Sequence, residues 1–290
     1  MTEPRPFCSE VSLENAEPLG ATASRVDHWL LVEYRGLWSH DALAGSGLSD
    51  QVKAHLREQA AAQPRTKLLL VRRRQRRGRV GLAVHWGSSR EQGGELFHAD
   101  VEAYADLLEL DLTAPGEPLA RPLVLVCTHG KHDRCCARYG RPLYQALDER
   151  AEDGWVWQSS HVGGDRFAGN AVFLPEGLYF GRVTAGEAWR VLDEYLAGRI
   201  DLEHYRGRAC YPFVVQAAER AVREAAGLTG IDDLELAGRD GTRVTFRARG
   251  RLYEVEVTEE LGELTYLTCS AESLRRPRCY AARILRESAA

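Results

Sequence analysis

No stretch of this 290-residue chain approaches the ~20 consecutive apolar residues that a bilayer-spanning helix needs. Its longest apolar runs, such as residues 28–32 and 122–127, are strand-sized, so a soluble protein with no membrane association is expected. The first ten residues carry Pro4, Pro6 and several polar groups where a leader would carry a charged and then an apolar stretch, which makes the cytoplasm the default compartment. A dominant charge of one sign is missing too. Against 42 Asp and Glu stand 38 Lys and Arg, a formal charge of -4, so no global field selects nucleic acid or an anionic surface. Lysine is confined to Lys53, Lys67 and Lys131, an arginine bias to which no function attaches. The patterns G-x-x-x-x-G-K-[ST], G-x-G-x-x-G and G-x-S-x-G do not occur, which removes the usual nucleotide and serine-hydrolase starting points. C-x-x-C is absent as well.

What the chain does have is 44% apolar and 28% charged residues, enough for a sizeable core, and a length that predicts about two domains. Residues 28–34, 66–71 and 80–86 read as strands, 48–63 as a helix capped at Ser46 or Ser49, and 101–108 as a short helix. A Pro/Gly stretch at 113–118 then breaks the pattern. Beyond it come a strand at 122–126, a helix at 140–151, a strand at 155–159, a hairpin over 170–183 and an amphipathic helix at 185–196. This β-α-β-β-α order is the thioredoxin core. A helix at 212–226, opened by Pro212 and closed by Gly227, precedes strands at 234–237, 243–248, 252–257 and 264–270, an antiparallel meander. The expected class is α/β (α+β): an α/β region at 1–118 that is open to the same fold, a thioredoxin-like domain at 119–200, and a helix plus β-meander at 201–290.

Seven cysteines, an odd number in a chain too large to need disulfide staples, point to metal or redox chemistry where they cluster. Cys127-Thr-His-Gly-Lys-His-Asp-Arg-Cys-Cys136 starts where a strand ends, and His161-Val-Gly-Gly-Asp165-Arg-Phe-Ala follows the next strand. Loops at that end of an open α/β sheet commonly carry function. Two thiolates from the first segment and nitrogen or oxygen donors from the second would give four ligands. Cys127 and Cys136 are farther apart in sequence than the tight pair of most zinc sites. Iron, zinc and a metal-free thiol site stay open on spacing alone.

These two segments resemble the paired signatures of the sucrase/ferredoxin-like family, relatives of thioredoxin-like [2Fe-2S] ferredoxins. The likeness is specific over residues 122–183 and extends to Cys8-Ser-Glu-Val-Ser, to residues 28–34 and to residues 211–219. In the family's fungal branch a [2Fe-2S] cluster is held by two cysteines nine apart and an H-x-x-x-H segment. Cys127, Cys136 and His161 match that pattern, while Asp165 stands at the second histidine's place. The resemblance therefore implies a [2Fe-2S] electron-transfer protein, a one-electron shuttle or reductase component, with a redox protein as partner. The fourth ligand is Asp165, Cys135, His129 or His132, with Asp165 at the position the pattern assigns. An aspartate there would lower the potential relative to a second histidine.

Plainer readings stand beside these. Cys135 is expected to be packed or outside the ligand set, Cys8 a surface thiol, and Cys210, Cys269 and Cys279 small hydrophobes with no site role. His129 and His132 would orient the loop, and Arg166 could pair with Asp165. The cationic run Arg65, Lys67, Arg72, Arg73, Arg74, Arg76, Arg77 and Arg79 reads first as a solvated hairpin tip. Its functional alternative is docking of an acidic redox partner, and nucleic acid is not expected. Competing functions are a thiol-disulfide oxidoreductase using Cys135 or Cys136 and a zinc-stabilised protein-binding module. Glycoside hydrolysis, which needs two positioned carboxylates, finds only Asp133 and Asp165 in a cysteine/histidine setting.

Overall fold

A computed structural model describes residues 5–74 and 81–289. After a short helix α1 (Cys8–Glu14), the first half runs β1 (His28–Glu33), α2 (Asp50–Ala61), β2 (Thr66–Arg72), β3 (Leu82–Ser88) and β4 (Glu95–Val101). Ser49 is the cap of α2, its hydroxyl accepting the Val52 N–H at 3.3 Å. Where a helix over 101–108 was expected, the chain forms β4 and then a 3-10 turn at Tyr104–Glu109. Pairing against β3 decides it, burying Leu96 and Val101. A two-residue strand β5 (Glu117–Pro118) ends this half.

The second half repeats the order with β6 (Leu123–Cys127), α3 (Arg134–Asp148), β7 (Val156–Ser159), β8 (Ala171–Leu174), β9 (Leu178–Phe180) and α4 (Ala188–Leu196). Together with β10 (Tyr205–Arg208) the strands form one ten-stranded sheet, ordered β10-β9-β8-β6-β7-β2-β1-β3-β4-β5. Each half contributes a parallel pair, β1 with β2 and β6 with β7, followed by antiparallel strands in the same relative order. The halves join edge to edge where β2 runs antiparallel to β7.

The third region is α5 (Phe213–Ala226) over a four-stranded antiparallel sheet of β11 (Glu235–Asp240), β12 (Arg243–Ala248), β13 (Arg251–Leu261) and β14 (Arg278–Ala289). Gly227 closes α5 in the left-handed conformation, φ 63°. The meander is present, but its last strand is β14 and not residues 264–270. Those residues lie in the 262–277 connection, whose regular pairing is a single bridge between Thr265 and Arg275. β14 spans twelve residues with Tyr280, Ala282 and Ile284 turned to the core, an alternation that outcompetes the shorter apolar run before it.

Helix α3 starts six residues before its expected beginning, because Asp133 caps it with its carboxylate on the Cys135 N–H at 2.8 Å. Cys135 and Cys136 thus belong to a helical turn and not to a loop. Strand β6 is buried on both faces, Val124 and Val126 against Leu143 and Leu147 of α3, and Leu123, Leu125 and Cys127 against the other core. Gly140 sets the distance between helix and strand. A Cβ there would stand 1.9 Å from the Cys127 carbonyl oxygen. Gly140→Ala should therefore cost about 1–3 kcal/mol through overpacking, read as a lower urea midpoint with an unchanged denaturant slope.

Candidate metal centre

Parallel pairing of β6 and β7 ends both strands at one edge, which delivers Cys127 on the first and His161 two residues past the second. Gly163 and Gly164, at φ 108° and 81°, turn the chain back so that Asp165 opens a 3-10 turn facing the same point. Buried Arg206 of β10 fixes this loop from behind. Its guanidinium donates to the Gly163 carbonyl at 3.0 Å, to Asn170 Oδ1 at 2.8 Å and to the Thr22 carbonyl at 2.6 Å. Asn170 in turn donates to the Gly164 carbonyl at 2.8 Å.

His161 Nδ1 lies 4.0 Å from Cys127 Sγ, 3.9 Å from Cys136 Sγ and 3.0 Å from Asp165 Oδ1, and Cys136 Sγ is 3.3 Å from that same oxygen. Cys127, Cys136 and Asp165 are buried, whereas the His161 side chain keeps 22% of its exposure and forms the solvent edge of the group. Burial alone would depress the His161 pKa. The Asp165 carboxylate and the Cys127 sulfur overcome that and push it up to about 9. Burial likewise works against the Asp165 anion, and His161 outweighs it, holding the carboxyl below its usual range. The two thiols split: contact with its partner sulfur favours the anion on Cys127, and the Cys136 thiol is pushed well up.

Other residues singled out from the sequence sort by geometry. The His132 ring stacks on His161, centroids 3.9 Å apart, and its donor atom lies near those of His161 and Asp165. His129 is engaged elsewhere, its Nε2 2.6 Å from the Ser39 carbonyl oxygen. Arg166 pairs with Glu17 at 2.7 Å and not with Asp165. Among the described residues of the cationic run, Arg65 is paired with Asp27, Arg72 lies over the Trp38 ring, and Arg73 meets Asp153. Arg76, Arg77 and Arg79 lie outside the described residues. Trp29, Trp38, Trp86 and Trp157 are core residues, and Trp155 and Trp189 pack half-buried against the core.

Cys135 belongs to a second group. With Cys8, Cys269 and Asp133 it forms a fully buried cluster on the other side of the α3 turn. Cys8, expected as a surface thiol, is buried, and Cys269, packed as expected, lies beside it. Only the adjacency of Cys135 and Cys136 hinted at it, because consecutive residues on a helix point about 100° apart and cannot serve one centre equally.

Curated relatives include altered inheritance of mitochondria protein 32 from Debaryomyces hansenii, 31% identical over 101 residues, 31% of this chain and 37% of that protein. The protein of the same name from Saccharomyces kudriavzevii is 33% identical over 105 residues, 32% of this chain and 34% of its own. The chain thus spans about a third of the length of the curated relatives it matches. Among solved structures, the thioredoxin-like [2Fe-2S] ferredoxin from Aquifex aeolicus is similar at 17% identity with a TM-score of 0.29, over 32% of this chain and 97% of that one. The sucrase/ferredoxin-like family model matches residues 19–207, well over half of the chain, and takes in Cys127, Cys136, His161 and Asp165. By that match the chain belongs to the sucrase/ferredoxin-like family.

Proposed function

We propose that Cys127, Cys136, His161 and Asp165 hold a [2Fe-2S] cluster, and that the protein carries single electrons between redox partners or within a reductase. The observation behind this reading is the donor set: two thiols and a carboxylate, brought from two strand ends to within 4.0 Å of the His161 Nδ1. In kind these donors fit, thiolates for one iron and mixed nitrogen and oxygen for the other. Both thiols stand closer to His161 than two sulfide-bridged irons would hold them. A cavity of about 320 Å3 beside His161, lined also by His40, Lys67, His129 and His132, gives the ring room to move outward. When bound, such a cluster supplies a one-electron couple with an unchanged ligand set.

The chain's own residues shape that couple. His132 fixes the plane of the His161 ring by stacking. Lys67 and the surrounding histidines offer positive or protonatable groups beside a site that gains negative charge on reduction. Next to it a cleft of about 690 Å3 is lined by Arg72, Lys131, Arg134, Arg138 and Arg141 around Trp38, a surface suited to an acidic redox protein. Seven free cysteines fit a reducing compartment such as the cytoplasm.

Anaerobic purification should yield brown protein with about two irons and two sulfides per chain, both lost in Cys136→Ser. Iron-free, colourless protein after reconstitution overturns the reading, and zinc without sulfide that is lost in Cys136→Ser selects a mononuclear centre instead. Asp165→His should raise the midpoint potential by on the order of 100 mV, toward histidine-ligated centres. An unmoved potential takes Asp165 out of the ligand set.

A pH dependence follows from His161. Its folded-state value, about 9, lies above the ordinary 6.5. In iron-free protein its added stability is complete below 6.5 and fades as pH climbs through about 9. Between pH 6.5 and 9.5 the urea midpoint of the wild type should therefore fall further than that of His161→Gln. Metal uptake has the opposite slope, since the ring must lose its proton to ligate, and binding should tighten as pH rises toward 9.

A further inference from the structure

Three sulfurs from three distant parts of the chain meet on the far side of the first α3 turn. Cys8 Sγ and Cys135 Sγ are 3.5 Å apart, Cys135 Sγ and Cys269 Sγ 3.3 Å, and Cys269 Sγ and Cys8 Sγ 3.7 Å. All three residues are buried, and so is Asp133, whose oxygens lie 3.9 and 4.0 Å from Cys8 Sγ. From this geometry we infer that Cys8, Cys135, Cys269 and Asp133 form a second, structural metal site that takes a single Zn2+.

The dimensions fit the ion. Tetrahedral zinc with Zn–S of about 2.3 Å places its sulfurs ~3.8 Å apart, a few tenths of an ångström wider than this triangle. Apolar packing would call for no buried carboxylate among the thiols. Here one is present and aligned: Asp133 accepts the Cys135 N–H at 2.8 Å and the Cys269 N–H at 2.6 Å, which leaves a lone pair on each oxygen for the ion. Ser9 donates to Cys135 Sγ at 3.1 Å, an outer bond of the kind that settles a metal-bound thiolate. Binding releases three thiol protons and leaves a complex with two net negative charges. Arg134 and Arg138 over the Phe7 ring, Arg5 over Tyr266 and the N-terminus of α3 lie around it.

The site also answers a structural need. Helix α1 is only seven residues long, and the 262–277 connection holds a single regular bridge. One ion would tie both to α3 and so join the N-terminus, the central sheet and the C-terminal region. Cys8 and Cys269 fall outside residues 19–207, the part of the chain that the family match covers. Asp133 and Cys135 lie within it, so the two sites share the first turn of α3 and differ in the segments that complete them.

Elemental analysis of the full chain, produced with zinc and iron supplied, separates the two. Wild type should hold about one Zn2+ per chain. The Cys127→Ser/Cys136→Ser variant should keep that zinc whatever happens to its iron, and Cys8→Ser/Cys269→Ser should lose it. Should the latter fail to fold, wild type is stripped with a zinc chelator. Cys8, Cys135 and Cys269 should then become reactive to iodoacetamide together, and added Zn2+ should protect them together. Zinc retained without Cys8 and Cys269, wild type isolated without zinc, or a disulfide among the three in freshly isolated protein would each overturn the site.

Discussion

The chemistry of this chain hangs on how the first turn of α3 is pinned to the end of β6. Asp133 caps the helix with one carboxylate oxygen, and Gly140, about two turns along, lets the helix axis come down on the Cys127 carbonyl. Those two contacts fix both the start and the height of the helix. Consecutive residues on it then diverge by about 100°. Cys136 is sent toward Cys127, His161 and Asp165, and Cys135 toward Cys8 and Cys269. A slip of one residue in the cap would put one cysteine in the other's place, carry the other away and dismantle both groups.

Electrostatics at the Cys136 side depends on keeping unlike groups in contact inside a poorly hydrated region. An isolated carboxylate or thiolate there would be costly, and each charge is tolerated because another faces it. Asp165 and His161 stabilise one another as an ion pair, while the Cys127 sulfur draws the proton onto the same ring. Arg206 matters to this balance without touching it. It is buried, and it spends its donors on the carbonyls of Thr22 and Gly163 and on Asn170, fixing the loop that carries His161 and Asp165. A lysine could supply the charge but not the planar fork that reaches these acceptors together.

Much of this arrangement was legible along the chain, and the misses have physical causes. Strands 28–34 and 122–126 and helix 212–226 carry apolar patterns that local sequence determines, and the structure bears them out to within a residue or two. The two segments from Cys127 to Cys136 and His161 to Asp165 meet as expected, because strand order alone forces their ends together. Helix α3 begins early because its start is set by a single capping carboxylate, a signal weaker than the histidine-rich loop around it. The 264–270 segment shows the reverse, an apolar run that tertiary pairing overrules in favour of β14. Cys8 and Cys269 could not be found from spacing at all, since 261 residues separate them and nothing local announces the contact.

The repeated half-sheet clarifies why one edge carries the site. Both halves have the same strand order, yet Cys127, Cys136, His161 and Asp165 all lie in the second, and the first contributes walls. Joining β2 to β7 brings Lys67 and Leu70 beside Ser160 and His161, with the Leu70 carbonyl accepting the Ser160 N–H at 2.8 Å. Trp38 and His40, from the stretch between β1 and α2, close over the same edge. With both thiols and the carboxylate buried, His161 is the donor that reaches solvent. That ring and the His132 plane stacked on it form the outward side of the group. The first half thus supplies Lys67, Leu70 and His40 to the wall of the histidine cavity and Trp38 and Arg72 to the arginine-lined cleft.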